Sequence, residues 1–155
     1  MSKLLTRALL LTGVAALACA PAATVRTSGQ LTGAPSSRHA VEQFMASVRA
    51  GDIQAMTVVW GTSRGPTRDT MERNELERRA IILQCFLAHD QFRVLSDYPG
   101  DAGRRMVRGT ISRGPQSRET SFTTVQGPGQ RWYVEAVDMS VMRDWCTDAG
   151  ATGVR

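Results

Sequence analysis

Ala40-Val41-Glu42-Gln43-Phe44-Met45-Ala46-Ser47-Val48-Arg49-Ala50-Gly51-Asp52-Ile53-Gln54-Ala55-Met56 is the stretch that decides how this chain folds. Val41, Phe44, Met45 and Val48 recur at i, i+3, i+4 and i+7, which gathers four apolar side chains on one helical face. Ser37 stands ahead of them as a candidate N-cap. Ala50-Gly51 stops the helix, glycine being suited to the left-handed position after a helix end. Asp52 then caps a second, short helix that carries Ile53, Met56, Val59 and Trp60 inward. Two helices joined at a Gly-Asp corner follow from these residues alone.

Downstream, Gly61, Gly65 and Pro66 read as a loop. A long third helix comes next, with two candidate starts in capping-box spacing, Asp69 with Glu72 or Asn74 with Glu77. Leu76, Ala80, Leu83 and Leu87 line one face of it, Ile82 and Phe86 widen that face, and Cys85 falls in its last turns. From residue 91 the period changes to two. Phe92 and Val94, with Leu95 on the opposite face, predict a strand ending at Tyr98. Met106-Val107 and Ile111 predict a second strand, Phe122 and Val125 a third, and Trp132–Val137 a fourth. Pro99-Gly100-Asp101, Gly114-Pro115 and Gly127-Pro128-Gly129 supply the turns. Short turns between consecutive strands give an antiparallel meander. The fold class expected is α+β, three N-terminal helices packed on a curved four-stranded antiparallel sheet.

The pattern from Ala40 to Met56 resembles the opening of the nuclear transport factor 2-like superfamily, in which a first helix ends at a Gly-Asp corner. The order of the remaining elements is similar too, including a last strand with a Trp-x-Val pattern, here Trp132-Tyr133-Val134. The resemblance covers about residues 37–139. It implies a cone of helices wrapped by a bent sheet, often around an apolar pocket. Members often carry a strand or hairpin between the second and third helices, for which residues 61–70 leave little room. The superfamily holds isomerases and dehydratases beside non-catalytic binding and assembly domains, so the fold fixes no function.

The N-terminus has the parts of an export signal in order. Lys3 and Arg7 precede an uncharged apolar run at residues 8–18, shorter than the roughly 20 residues needed to cross a bilayer as a helix. The run ends in Ala16-Leu17-Ala18-Cys19, which resembles a bacterial lipobox, with Ala16 where leucine is commoner. Cys19 is therefore the expected lipid anchor. Ordinary cleavage after Ala18 or Ala20 is the alternative. Lipid on Cys19 would leave Cys85 and Cys146 to pair in an oxidising compartment, or else to stay as two buried thiols. The resulting division is residues 1–18 signal peptide, 19–36 flexible tether, 37–147 domain and 148–155 frayed tail. Ala20 after the anchor is compatible with an outer-membrane location facing the periplasm.

The net charge of +5 loses two units with Lys3 and Arg7, and every remaining basic residue is arginine. Arg78-Arg79 and Arg104-Arg105 are interrupted by acidic and apolar residues, which reads as solvated surface rather than a nucleic-acid patch. No cysteine or histidine has metal-ligand spacing, and neither a phosphate loop nor a nucleophile elbow occurs. No metal and no cofactor are expected. Three catalytic candidates can be named. His89 titrates near neutrality and is followed by Asp90, although adjacent helical residues do not share a face; Asp138 closes the last strand. The alternative for His89 is a helix-end residue at the negative end of the dipole. Trp60, Tyr98 and Trp132 are ligand-binding candidates, with a core role as the competing reading for the two tryptophans.

The leading expectation is a non-catalytic, membrane-tethered domain that binds a small apolar ligand or an envelope protein. The alternatives are a small enzyme of isomerase, dehydratase or hydrolase type using His89 with an acidic residue, and an accessory subunit or homodimer docking through the sheet face.

Overall fold

The computed structural model describes residues 32–146. The signal peptide, Cys19, most of the tether and the residues beyond Cys146 lie outside the described residues. No helix among the described residues is long and apolar enough to cross a membrane.

Helix α1 spans Ser37–Ala50 and α2 spans Ile53–Val59. The corner between them is built as the residues predict. Gly51 is left-handed at φ 69, its N–H reaching back to the carbonyls of α1. The Asp52 carboxylate accepts from the Ala55 N–H at 2.9 Å. The cap of α1 is one residue earlier than expected, since Ser36 rather than Ser37 accepts from the His39 N–H. Ser37 turns inward instead, and its hydroxyl meets that of Thr124 at 2.8 Å.

The loop expected after α2 is an ordered miniature hairpin. Strands β1 (Gly61–Thr62) and β2 (Gly65–Pro66) pair antiparallel, followed by a one-turn helix α3 (Thr67–Thr70). Two residues per strand suffice because Gly65 takes φ +122 and Thr67 ties back to the Trp60 carbonyl through both its N–H and its hydroxyl. Helix α4 spans Arg73–Leu87. Neither candidate capping box opens it. Glu72 is itself the cap, its two oxygens accepting from Asn74 and Glu75 at 2.9 and 3.0 Å. Leu76, Ala80 and Leu87 are buried as expected, but Ile82 is 52% exposed. At 100° per residue Ile82 lies about 200° around the helix from Ala80, on the solvent side.

The sheet runs β3 (Gln91–Pro99), β4 (Arg105–Arg113), β5 (Gln116–Gln126) and β6 (Trp132–Val137), each antiparallel to its neighbour in sequence order. This is the meander predicted. Bulges between Val94 and Ser96 and between Thr123 and Thr124 interrupt the register, and such insertions bend strands and strengthen their twist. Leu95 stands at the first of them and is exposed. Phe92, Val94, Val107, Ile111, Phe122 and Val134 face the helices. Phe44, Met45 and Met56 come from the helices to meet them in one core. The outer face is polar, with Arg93, Arg108, Thr110, Ser112, Ser117, Glu119 and Ser121 in register across three strands.

Residues 32–36, counted with the tether on composition, are part of the domain. Ala34 exchanges both backbone hydrogen bonds with Trp132 at 2.9 Å, and the Gly33 N–H donates to the Val58 carbonyl at 2.7 Å. Ala34 is 0% exposed. Beneath them the Tyr133 ring is enclosed by Gly33, Gly61 and Gly127, at each of which a Cβ would fall within 2.9 Å of a ring atom. The Tyr133 hydroxyl meets that of Thr32 at 2.9 Å. This segment, the β1–β2 hairpin and the β3–β4 and β5–β6 turns form one end of the domain. The β4–β5 turn, His89-Asp90 and residues 138–146 form the other, where Cys85 of α4 is joined to Cys146.

Candidate functional site

The residues singled out from the sequence do not converge. His89 is buried, and its Nδ1–H donates to the Leu87 carbonyl at 2.8 Å; the ring stands edge-on to Phe92 at 6.3 Å. Burial pushes its pKa below the usual histidine value, an effect partly offset by the Leu87 carbonyl. Asp90 turns elsewhere. Its Oδ2 accepts from the Gly114 N–H at 2.7 Å, which fixes the β4–β5 turn. Asp138 is exposed, and its Oδ1 accepts from the Ser140 N–H at 3.0 Å as a local cap. Hydrogen bonds from Ser140, its side chain first and then its N–H, lower the Asp138 pKa. The three are therefore structural in their hydrogen bonding: a strand entry, a turn and a cap.

The ligand candidates fare similarly. Tyr98 is 41% exposed, opposite Met106 on the outer face of the sheet, so it cannot line the interior. Trp60 and Trp132 are half-buried and pack against the core. The backbone of each also forms an isolated β-bridge to a residue distant in sequence, Trp60 to Val134 and Trp132 to Ala34. The space an apolar ligand would occupy between helices and sheet holds the side chains of Phe44, Met56 and Phe122, all fully buried.

The disulfide end is built more elaborately. The Cys85–Cys146 bond closes over a Cα–Cα distance of 5.1 Å. Beside it Trp145 is 0% exposed. The guanidinium groups of Arg113 and Arg118 lie 4.8 and 5.0 Å from its ring centroid, and its indole N–H donates to Gln116 Oε1 at 2.7 Å. Cations over an indole face are attracted by the ring quadrupole.

A solvent-open cleft of about 930 Å³ runs along α1 and α2, outside the cone. Val58 and Ala46 contribute to its apolar lining, and Gln43, Gln54, Arg68 and Arg131 bring polar groups to it. Arg131 is fixed there by the Thr32 and Gly33 carbonyls, to which Nε and Nη2 donate at 3.2 and 2.7 Å. Sequence reasoning misses this cleft because it reads helices for their core-facing stripe. The signal it passes over is Gln43, Ala46 and Ser47 at i, i+3 and i+4, a small and polar second face on α1. The arginine pairs read as surface charge are held by carboxylates: Arg78 and Arg79 by Glu75, Arg104 by Glu135 and Arg105 by Asp97. Among the described residues no group of three metal-capable side chains is assembled.

No protein-family model matches the chain. No curated protein matches it either. Among solved structures, it is similar to an NTF-2-like protein of unknown function from Shewanella oneidensis MR-1, at 14% identity and a TM-score of 0.40, over 64% of this chain and 92% of that one. The fold assignment rests on the element order and strand register given above, which agree with the α+β cone that the motif from Ala40 to Met56 implies.

Proposed function

We propose that this chain is an exported protein of the bacterial envelope, held to a membrane by lipid on Cys19, and that its domain is a binding module which engages an envelope protein through the α1–α2 cleft. The observation that supports export is the Cys85–Cys146 disulfide. Such bonds persist in oxidising compartments, and pairing these two leaves Cys19 over, in the small-residue setting of a lipobox. The filled interior favours recognition from outside the cone over an enclosed apolar ligand. A cleft that combines apolar surface with amides and guanidiniums suits an extended polypeptide, whose side chains need apolar contact and whose backbone needs hydrogen bonds.

Intact mass of the mature protein from its native membranes tests the first half. The expected result is a chain beginning at Cys19 that carries acyl groups and one disulfide. A chain that begins at Pro21, or one that begins at Cys19 without acyl mass, overturns the anchor. For the second half, a photo-crosslinking residue at Gln54 is expected to trap a partner that Val58→Arg abolishes, while the same probe at Ser117 traps none. Equal trapping at both positions overturns the cleft.

A further inference from the structure

We infer that the domain stands on the membrane in a fixed sense, with its N-terminal end against the phospholipid headgroups and its disulfide end directed away. The inference rests on the lipid anchor proposed above. The observation that carries it is where the chain becomes part of the fold. Thr32, Gly33 and Ala34 are pinned by Tyr133, Val58, Trp132 and Arg131, all at one end of the domain. From Cys19 to Thr32 the chain can stretch about 45 Å when fully extended. As a coil it has an r.m.s. reach of roughly 20 Å.

The domain is longer than that coil reach. The strand Gln116–Gln126, which runs from the disulfide end to the N-terminal end, spans ~36 Å at the usual strand rise. For the disulfide end to touch the bilayer, the tether would have to be drawn almost straight along the side of the domain. The N-terminal end touches with the tether relaxed. That end also presents a suitable group. Arg64, at the tip of the β1–β2 hairpin beside Ser63, is exposed, and none of the ion pairs among the described residues involves it. A guanidinium is matched to phosphate geometry. The other arginines of this end are committed, Arg104 to Glu135, Arg105 to Asp97 and Arg131 to backbone carbonyls.

The test uses the full acylated protein in vesicles of phosphatidylethanolamine and phosphatidylglycerol containing a headgroup nitroxide quencher. With Cys19 acylated and Cys85 bonded to Cys146, a thiol introduced by Ser63→Cys or Ser117→Cys is the one available to a fluorescent label. Quenching at position 63 is expected to be at least threefold that at position 117. Arg64→Gln is expected to narrow the ratio in these vesicles and to leave it unchanged in phosphatidylcholine alone. Hydrogen exchange of the unsubstituted protein supplies a measurement free of folding defects, with slowing on vesicles expected at residues 61–66 and 127–131 and not at 113–118. Acylated protein with equal quenching or equal protection at both ends overturns the orientation alone. Absence of acyl mass in the same preparation overturns the anchor and the orientation together.

Discussion

Arg118 closes a fork on Asp144, with Nη2 on Oδ2 at 2.7 Å and Nη1 on Oδ1, while the same guanidinium covers the ring of Trp145. A third bond from Nη1 to the Val141 carbonyl ties the strand to the preceding turn. One side chain of β5 thus fastens the C-terminal segment independently of the disulfide.

The fork gives a pH signature. Arg118 holds the Asp144 carboxyl at about 2, well below the usual carboxylate range. A depressed folded-state value contributes stability that is present above the unfolded value and is lost as pH falls through the folded one. Asp144→Asn should lower the unfolding midpoint near neutrality, and the difference from the parent should shrink as pH drops from about 4 to 2. Denaturant curves at a series of pH values check this; a pH-independent gap contradicts it.

His89 behaves in the opposite chemical sense with the same direction in pH. Burial favours its neutral form, so its folded value lies below 6.5. The unfolded chain then takes up a proton first on acidification, and stability falls as pH drops from about 6.5 toward the folded value. His89→Asn, which retains a donor for the Leu87 carbonyl, should flatten that part of the stability profile. An unchanged slope between about pH 7 and pH 5 would show that His89 titrates as in the unfolded chain.

Cys85 and Cys146 are separated by 61 positions. The chain-entropy model assigns a loop of that size roughly 4 kcal/mol of stabilisation. The double Cys→Ser variant should fold, since Arg118 and Arg113 still hold the segment, but with stability lower by about that amount. Urea unfolding of oxidised and reduced protein measures it. A loss below about 1 kcal/mol would mean that the reduced unfolded chain is already compact.

Gly61→Ala tests the packing around Tyr133. The new methyl would collide with the Tyr133 ring and with the Gly65 carbonyl. Overpacking of this kind typically costs about 1–3 kcal/mol. Gly100→Ala, whose methyl would meet only the Met106 side chain and Arg104 backbone at 3.2 Å or more, should cost less. Thermal unfolding of the two variants compares them, and equal losses would remove the special role given to the Tyr133 enclosure.

Much of the architecture is legible in particular residues. The corner at Gly51-Asp52 is readable because a left-handed glycine and a capping aspartate act within a few residues of chain. The four strands are readable from alternation, and Trp132–Val137 has the bounds expected. The β1–β2 hairpin is not, because its Gly61 packs on the Tyr133 ring, far away in sequence, and no local motif signals that Thr67 will tie back to the Trp60 carbonyl. Ala34 escapes for the same reason: nothing in a small, polar stretch reveals that Trp132 will offer it an unpaired strand edge. For function, the titratable residues are visible but their partners are not. Asp90 pairs with a glycine N–H that is 24 positions away, and no local spacing announces that.

The bond between Cys85 and Cys146 encloses every strand of the main sheet, since β3 begins at Gln91 and β6 ends at Val137. That part of the molecule is a covalent ring. A protease that cuts once in an exposed turn such as Gly114-Pro115 opens the ring without releasing a fragment, and the severed hairpin can still re-form from pieces held together. Separation of the sheet into two pieces therefore needs a second cut, or reduction of the bond as well as the first.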